Sequence, residues 1–132
     1  MVEFQINTRP ISPHITIYKM PLTATLSILH RITGGVLSVG LFVFLLMFKF
    51  LMFHLSSYYS YQFFYYINMN LYYFWSFIGY IVLLFFSYHL FAGIRHLIWD
   101  LGIGLDLKDI YRSGYLILGL TFFSSLVLWL IY

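Results

Sequence analysis

The sequence predicts an all-α fold, a single integral membrane domain over residues 1–132 built on three transmembrane helices. Two observations predict it. Hydrophobic residues make up 62% of the chain and charged residues 8%, against roughly 25% charged in soluble domains, so there are too few charges to cover a water-facing surface. The apolar residues are also gathered into three long stretches. Strands are excluded on physical grounds: an apolar strand in lipid leaves its backbone groups unpaired, and three segments cannot close a barrel.

The first element is an N-terminal segment, about residues 1–25, with Glu3 and the three prolines Pro10, Pro13 and Pro21. It lacks the basic start and apolar core of a signal peptide and the Arg-rich character of a transit peptide. Apolar helices are expected over about 26–55, 71–99 and 112–132. A helix crosses the hydrocarbon core in roughly 20 residues, so the first two can span with tilt and the third is near the lower limit. The first connection, about 56–70, has no charge and holds Tyr58, Tyr59, Tyr61, Tyr65 and Tyr66. Tyrosine favours the headgroup level, which places this connection in or on the interface.

Charge sets the orientation. Arg9, Lys19 and Arg31 precede or open the first helix, and Arg95, Lys108 and Arg112 surround the second connection; only Lys49 lies toward the other side. The basic side is the cytoplasm or, in mitochondria, the matrix. The net charge of +3 comes from seven Lys and Arg scattered along the chain, which excludes a nucleic-acid surface. Without cysteine the chain offers no thiolate for an iron–sulfur cluster, so any electron it passes needs another cofactor.

Three constellations combine polar groups with apolar helices. Ser27 and Arg31, four apart, share a helix face at the inner end of the first helix, with His30 beside them. Either Arg31 snorkels to headgroups, or the pair lines a polar pocket for an amphiphile. His89 lies about ten residues from Trp99, roughly 15 Å deep at 1.5 Å per residue. An ionisable residue near the midplane points to function, and neutral imidazole is a haem-iron ligand; an interhelical hydrogen bond is the competing reading. Gly93, one turn on, removes a side chain from the same face. Arg95 and His96 come early enough to face a buried headgroup or a cofactor propionate, while Asp100, Asp106, Lys108, Asp109 and Arg112 mark the inner surface.

Counting ten residues inward from Ser27 reaches Leu37, and from Arg112 reaches Phe122, and neither neighbourhood holds His or Met. His30 and His96 are expected nearer the inner surface than His89. A bis-histidine haem would therefore need a second chain. A transporter or proton channel would want ionisable residues at several depths, whereas only His89 is expected to be deep.

Three motifs carry a resemblance. Arg-Pro-Ile-Ser-Pro-His-Ile-Thr-Ile-Tyr-Lys (Arg9 to Lys19), Ser-Ile-Leu-His-Arg-Ile-Thr-Gly (Ser27 to Gly34) and Tyr-His-Leu-Phe-Ala-Gly-Ile-Arg-His-Leu-Ile-Trp-Asp (Tyr88 to Asp100) resemble the large cytochrome b-type membrane-anchor subunit of succinate dehydrogenase, respiratory complex II. The resemblance implies a three-helix anchor packed with a smaller anchor subunit, the two holding a b-type haem and tethering the flavoprotein and iron–sulfur subunits. It implies His89 as a haem-iron ligand, with the second ligand on the smaller anchor. It implies Ser27 and Arg31 at a ubiquinone pocket, and His30 with Arg31 near the haem propionates. His96 falls in the motif without a fixed role. The implied location is the mitochondrial inner membrane with the N-terminus in the matrix, or else a bacterial plasma membrane. A purely structural anchor without haem, or the anchor of a quinol:fumarate reductase, are the alternatives. Succinate oxidation itself belongs to other subunits.

Overall fold

The computed structural model describes His14, residues 18–54 and residues 57–131. The N-terminal segment up to residue 13, with Arg9, lies outside the described residues, as do Leu55 and Tyr132 at the ends of two expected spans. Four helices follow in order: α1 Leu22–His54, α2 Tyr58–Asn70, α3 Tyr72–Asp100 and α4 Leu107–Ile131. The described residues contain no strand. Three of the helices are long and apolar enough to cross a membrane, over Leu22–Met52, Tyr72–Asp100 and Leu107–Ile131.

Both ends of the spans show how local chemistry sets the bounds. The first helix begins at Leu22, ahead of the expected residue 26, because Pro21 suits a helix start, where no N–H partner is needed. The Pro21 carbonyl accepts from the amides of Ala24 and Thr25 at 3.1 and 3.2 Å. The last helix begins at Leu107 instead of residue 112. Its charged first turn includes Asp109, a favourable charge at a helix N-terminus, and the Ile110 amide bonds the Asp106 carbonyl at 3.0 Å. At the end of α3 the chain turns through Gly102 at φ +75°. The Gly102 amide reaches the Trp99 carbonyl at 2.8 Å and the Ile103 amide reaches that of Ile98 at 3.4 Å, a Schellman closure that needs the left-handed glycine.

The tyrosine-rich first connection is itself a helix. Its 13 residues, none of them buried, extend about 20 Å, too short to cross. A helix pairs its backbone internally, which a segment in contact with lipid requires. Leu71 alone separates it from α3, its amide bonded to the Ile67 carbonyl at 3.0 Å.

The core is small and lies toward the ends of α1, α3 and α4 that carry Arg31, Arg95 and Arg112: Leu26, Tyr88, Ala92 and Ile117, with Leu22, Phe91 and Leu118 against it. The Tyr88 hydroxyl donates to the Leu26 carbonyl at 2.7 Å, so the buried phenol is satisfied and ties α3 to α1. The buried residues of α3 and α4 include the small Ser87, Ala92, Gly114, Thr121 and Ser125, the kind of residue that lets membrane helices approach closely. At the outer end Trp129 donates to Ser76 at 3.3 Å and meets Tyr80 edge-on at 5.8 Å. The first helix is held differently. Its buried residues are Leu26 and Thr33, and residues 38–50 are exposed on every side.

Candidate functional site: a histidine column between α1 and α3

On α1, Leu26, His30 and Thr33 stand at helical spacing on one face. On α3, His89 and His96 are seven apart and share another. Their meeting stacks three imidazoles. The His30 ring lies 4.3 Å from that of His89 at an interplanar angle of 21°, and 5.2 Å from that of His96 at 30°. His96 in turn meets Trp99 edge-on at 5.2 Å.

His89 is oriented by α1. Its Nδ1 donates to the His30 carbonyl at 3.2 Å, and lies 3.4 Å from the Thr33 hydroxyl oxygen. That hydroxyl spends its own proton on the carbonyls of Leu29 and His30, at 2.9 and 3.0 Å, and so can only accept from the ring. A carbonyl also only accepts. Both contacts therefore fix the proton on Nδ1 and leave the Nε2 lone pair for another partner. Gly34 closes the cradle: a Cβ there would sit 2.8 Å from His89 Cε1. His30 Nε2 is buried without a hydrogen-bond partner among the described residues.

One expectation changes, the level on α1 that faces His89. Counting from Ser27 to Leu37 set it about one turn too deep, because α1 starts at Leu22 and α3 runs on to Asp100. Thr33 is as far from the start of α1 as His89 is from the end of α3. His30 sits one turn nearer the start of α1, its ring between those of His89 and His96. His30 nevertheless presents its ring face to His89, so the stack does not aim two lone pairs at one point. The close approach to His89 is at Gly34, while a Cβ on Gly93 would lie 3.8 Å from His30 Nε2.

Ser27 is half-buried and Arg31 exposed. At 100° per residue they lie about 100° and 140° round α1 from Leu26, on the flank that α3 and α4 leave open. Arg95 takes the other side of α3. It is 5% exposed, with its guanidinium carbon 4.3 Å from the Trp99 ring centroid, a cation–π geometry. Thr33 and Gly34 went unrecognised as site residues from sequence, although the spacing from His30 in the His-Arg-Ile-Thr-Gly motif was the available signal. Among the described residues no three His, Cys, Asp or Glu side chains are placed to hold a metal ion.

Three spans around an inner polar column define a small polytopic membrane subunit. Residues 5–128 match the family model described as succinate dehydrogenase/fumarate reductase transmembrane subunit, and the chain belongs to that family. It is similar to the succinate dehydrogenase cytochrome b560 subunit of Reclinomonas americana, at 50% identity over 132 residues, covering 100% of this chain and 91% of the relative. The mitochondrial cytochrome b560 subunit of Homo sapiens is 39% identical over 121 residues, covering 91% and 69%. The cytochrome b556 subunit of Rickettsia prowazekii is 38% identical over 129 residues, covering 93% and 92%. The chain is a membrane-anchor subunit of succinate dehydrogenase and not the subunit that oxidises succinate.

Proposed function

We propose that this anchor binds a b-type haem jointly with a smaller anchor subunit and forms one wall of a ubiquinone-reduction site, in a complex with the iron–sulfur and flavoprotein subunits. The location is the mitochondrial inner membrane with the N-terminus in the matrix. The observation that carries the haem reading is the 3.2 Å contact of His89 Nδ1 with the His30 carbonyl: an acceptor there calls for a proton on Nδ1 and leaves a basic Nε2, the arrangement that orients a metal-bound histidine. The residues fit the group. His89 would ligate the iron, and His30 Nε2, buried and unpartnered, would donate to a propionate. Arg31 shares the open flank of α1. The haem, when bound, supplies one-electron carriage. The stack of His30 on His89 sends the second ligand to another chain.

Quinone chemistry rests on Ser27 and Arg31. The Ser27 hydroxyl can donate to a headgroup carbonyl oxygen. The fixed guanidinium of Arg31 stabilises negative charge as it develops on a quinone oxygen during reduction. The protein's part is to orient the headgroup and hold that charge near the interface. Electrons arrive from the iron–sulfur subunit, which supplies the clusters that this cysteine-free chain does not.

The reduced-minus-oxidised optical spectrum of the purified complex tests the haem reading. A b-type spectrum present in the wild type and perturbed or lost in His89→Leu supports it. An unchanged low-spin spectrum in that variant overturns it.

A further inference from the structure

A groove of about 230 Å³ runs between the inner halves of α3 and α4, on the side of α3 away from the histidine column. Its walls are apolar, with Phe91 and Ile94 on one side and Leu120 on the other, but Arg95, Asp109 and Ser113 also line it. Arg95 is 5% exposed, and its Nε and Nη1 are buried with no hydrogen-bond partner among the described residues. A buried, unpaired guanidinium is costly in a membrane and marks a missing anion. Trp99 covers one face of the group at 4.3 Å, and Gly114 limits another, since a Cβ there would come within 3.4 Å of Nη1.

Depth identifies the anion. The 29 residues of α3 extend about 43 Å, against a hydrocarbon core of about 30 Å, so each end passes about 6–7 Å into the headgroup layer. Arg95, five residues before the end of α3 at Asp100, is therefore level with the hydrocarbon boundary. Asp109, in the first turn of α4, lies closer to water. A ligand for this groove has an apolar chain, an anionic group at the boundary and a cationic group above it.

We infer that the α3–α4 groove binds a zwitterionic phospholipid with a primary-amine headgroup, its phosphate against Arg95, its ammonium toward Asp109 and an acyl chain along Phe91, Ile94 and Leu120. Asp109 selects against a purely anionic lipid, which would bring like charge to it. Arg95 selects against neutral lipids, which leave the guanidinium unpaired.

The test uses the whole complex, purified in mild detergent as wild type, Arg95→Gln and Asp109→Asn. Native mass spectrometry reads retained phosphatidylethanolamine. Delipidated complex is then titrated with phosphatidylethanolamine, with phosphatidylglycerol and with inorganic phosphate. The wild type retains a phosphatidylethanolamine that Arg95→Gln lacks, and rebinding in that variant is weaker by about tenfold or more, as loss of a charge-assisted contact requires. Asp109→Asn, at an exposed position, assembles normally and loses the preference for phosphatidylethanolamine over phosphatidylglycerol. Equal lipid occupancy in wild type and both variants overturns the inference. So does a wild type that binds phosphatidylglycerol as tightly, or one from which inorganic phosphate displaces the lipid. No lipid in the wild type, with a partner side chain in the groove, overturns it as well.

Discussion

The imidazole of His89 hangs from the backbone of His30: Nδ1 meets the His30 carbonyl at 3.2 Å, and the two rings stack at 4.3 Å. A main-chain acceptor cannot be removed by changing a side chain. The neighbouring acceptor, the Thr33 hydroxyl at 3.4 Å, can, and it offers the cleanest handle on the site.

Thr33→Val keeps the shape of the side chain and deletes that acceptor. A weaker pull on Nδ1–H makes the ring a poorer donor to a metal, which favours the reduced state of a ligated haem. The potential should rise. A hydrogen bond of about 0.5–1.5 kcal/mol corresponds to about 20–60 mV for one electron, and the retained carbonyl keeps the shift toward the lower figure. Thr33→Ser should restore the wild-type value. A redox titration that finds Thr33→Val and wild type superimposed would falsify the tuning role.

Gly34→Ala puts a methyl group 2.8 Å from His89 Cε1. The ring must move or the helices must part. Overpacking of this kind costs about 1–3 kcal/mol, and it falls on the group that positions the ring. Haem content per assembled complex, measured by the pyridine haemochrome method, should drop. Gly35→Ala is the control, since no atom lies within 4 Å of a Cβ there, and its haem content should match the wild type.

Ser27→Ala and Arg31→Leu separate quinone binding from assembly. The Ser27 change removes one donor, a loss of about 0.5–1.5 kcal/mol. The Arg31 change removes a full charge from the place where negative charge develops, so it should slow quinone reduction more. Succinate oxidation by a soluble dye should persist in both. The informative quantity is quinone-reductase activity divided by dye activity in the same membranes; a ratio fixed at the wild-type value in both variants rules the assignment out.

Orientation follows from the basic asymmetry, with Lys19, Arg31, Arg95, Lys108 and Arg112 at one end of the spans and Lys49 toward the other. Protease added to the matrix face of inverted vesicles should cut the connection between α3 and α4. Cutting from the opposite face only would reverse the topology.

Three spans were legible because hydropathy at this strength leaves no other fold, and His89 stood out because a deep ionisable residue is conspicuous in an apolar helix. The residue level with it on α1 was not legible. A depth count needs the true helix ends, and α1 starts at Leu22, five residues before Ser27, while α3 runs one residue past Trp99. Thr33 passed unnoticed because a threonine in a membrane helix ordinarily bonds its own backbone; it does so here, and accepts from His89 as well. The first connection read as an interfacial stretch, but its regular helix was hidden by residues chosen for the interface more than for helical propensity. The burial of Arg95 depends on Gly114 of α4 as well as on Trp99 one turn along its own helix, and spacing within α3 reveals only the second.

The long exposed outer half of α1 has a consequence for how the protein is made. From residue 38 to residue 50 the helix is exposed, with Phe64 of α2 beside Leu46, Met47 and Phe50, and at 33 residues it extends about 50 Å, well beyond the thickness it must cross. Its tilt is therefore set from outside, by whichever helix arrives beside it. A newly inserted copy waits in the bilayer with one arm unfastened, so its lifetime before assembly is governed by the supply of its companion.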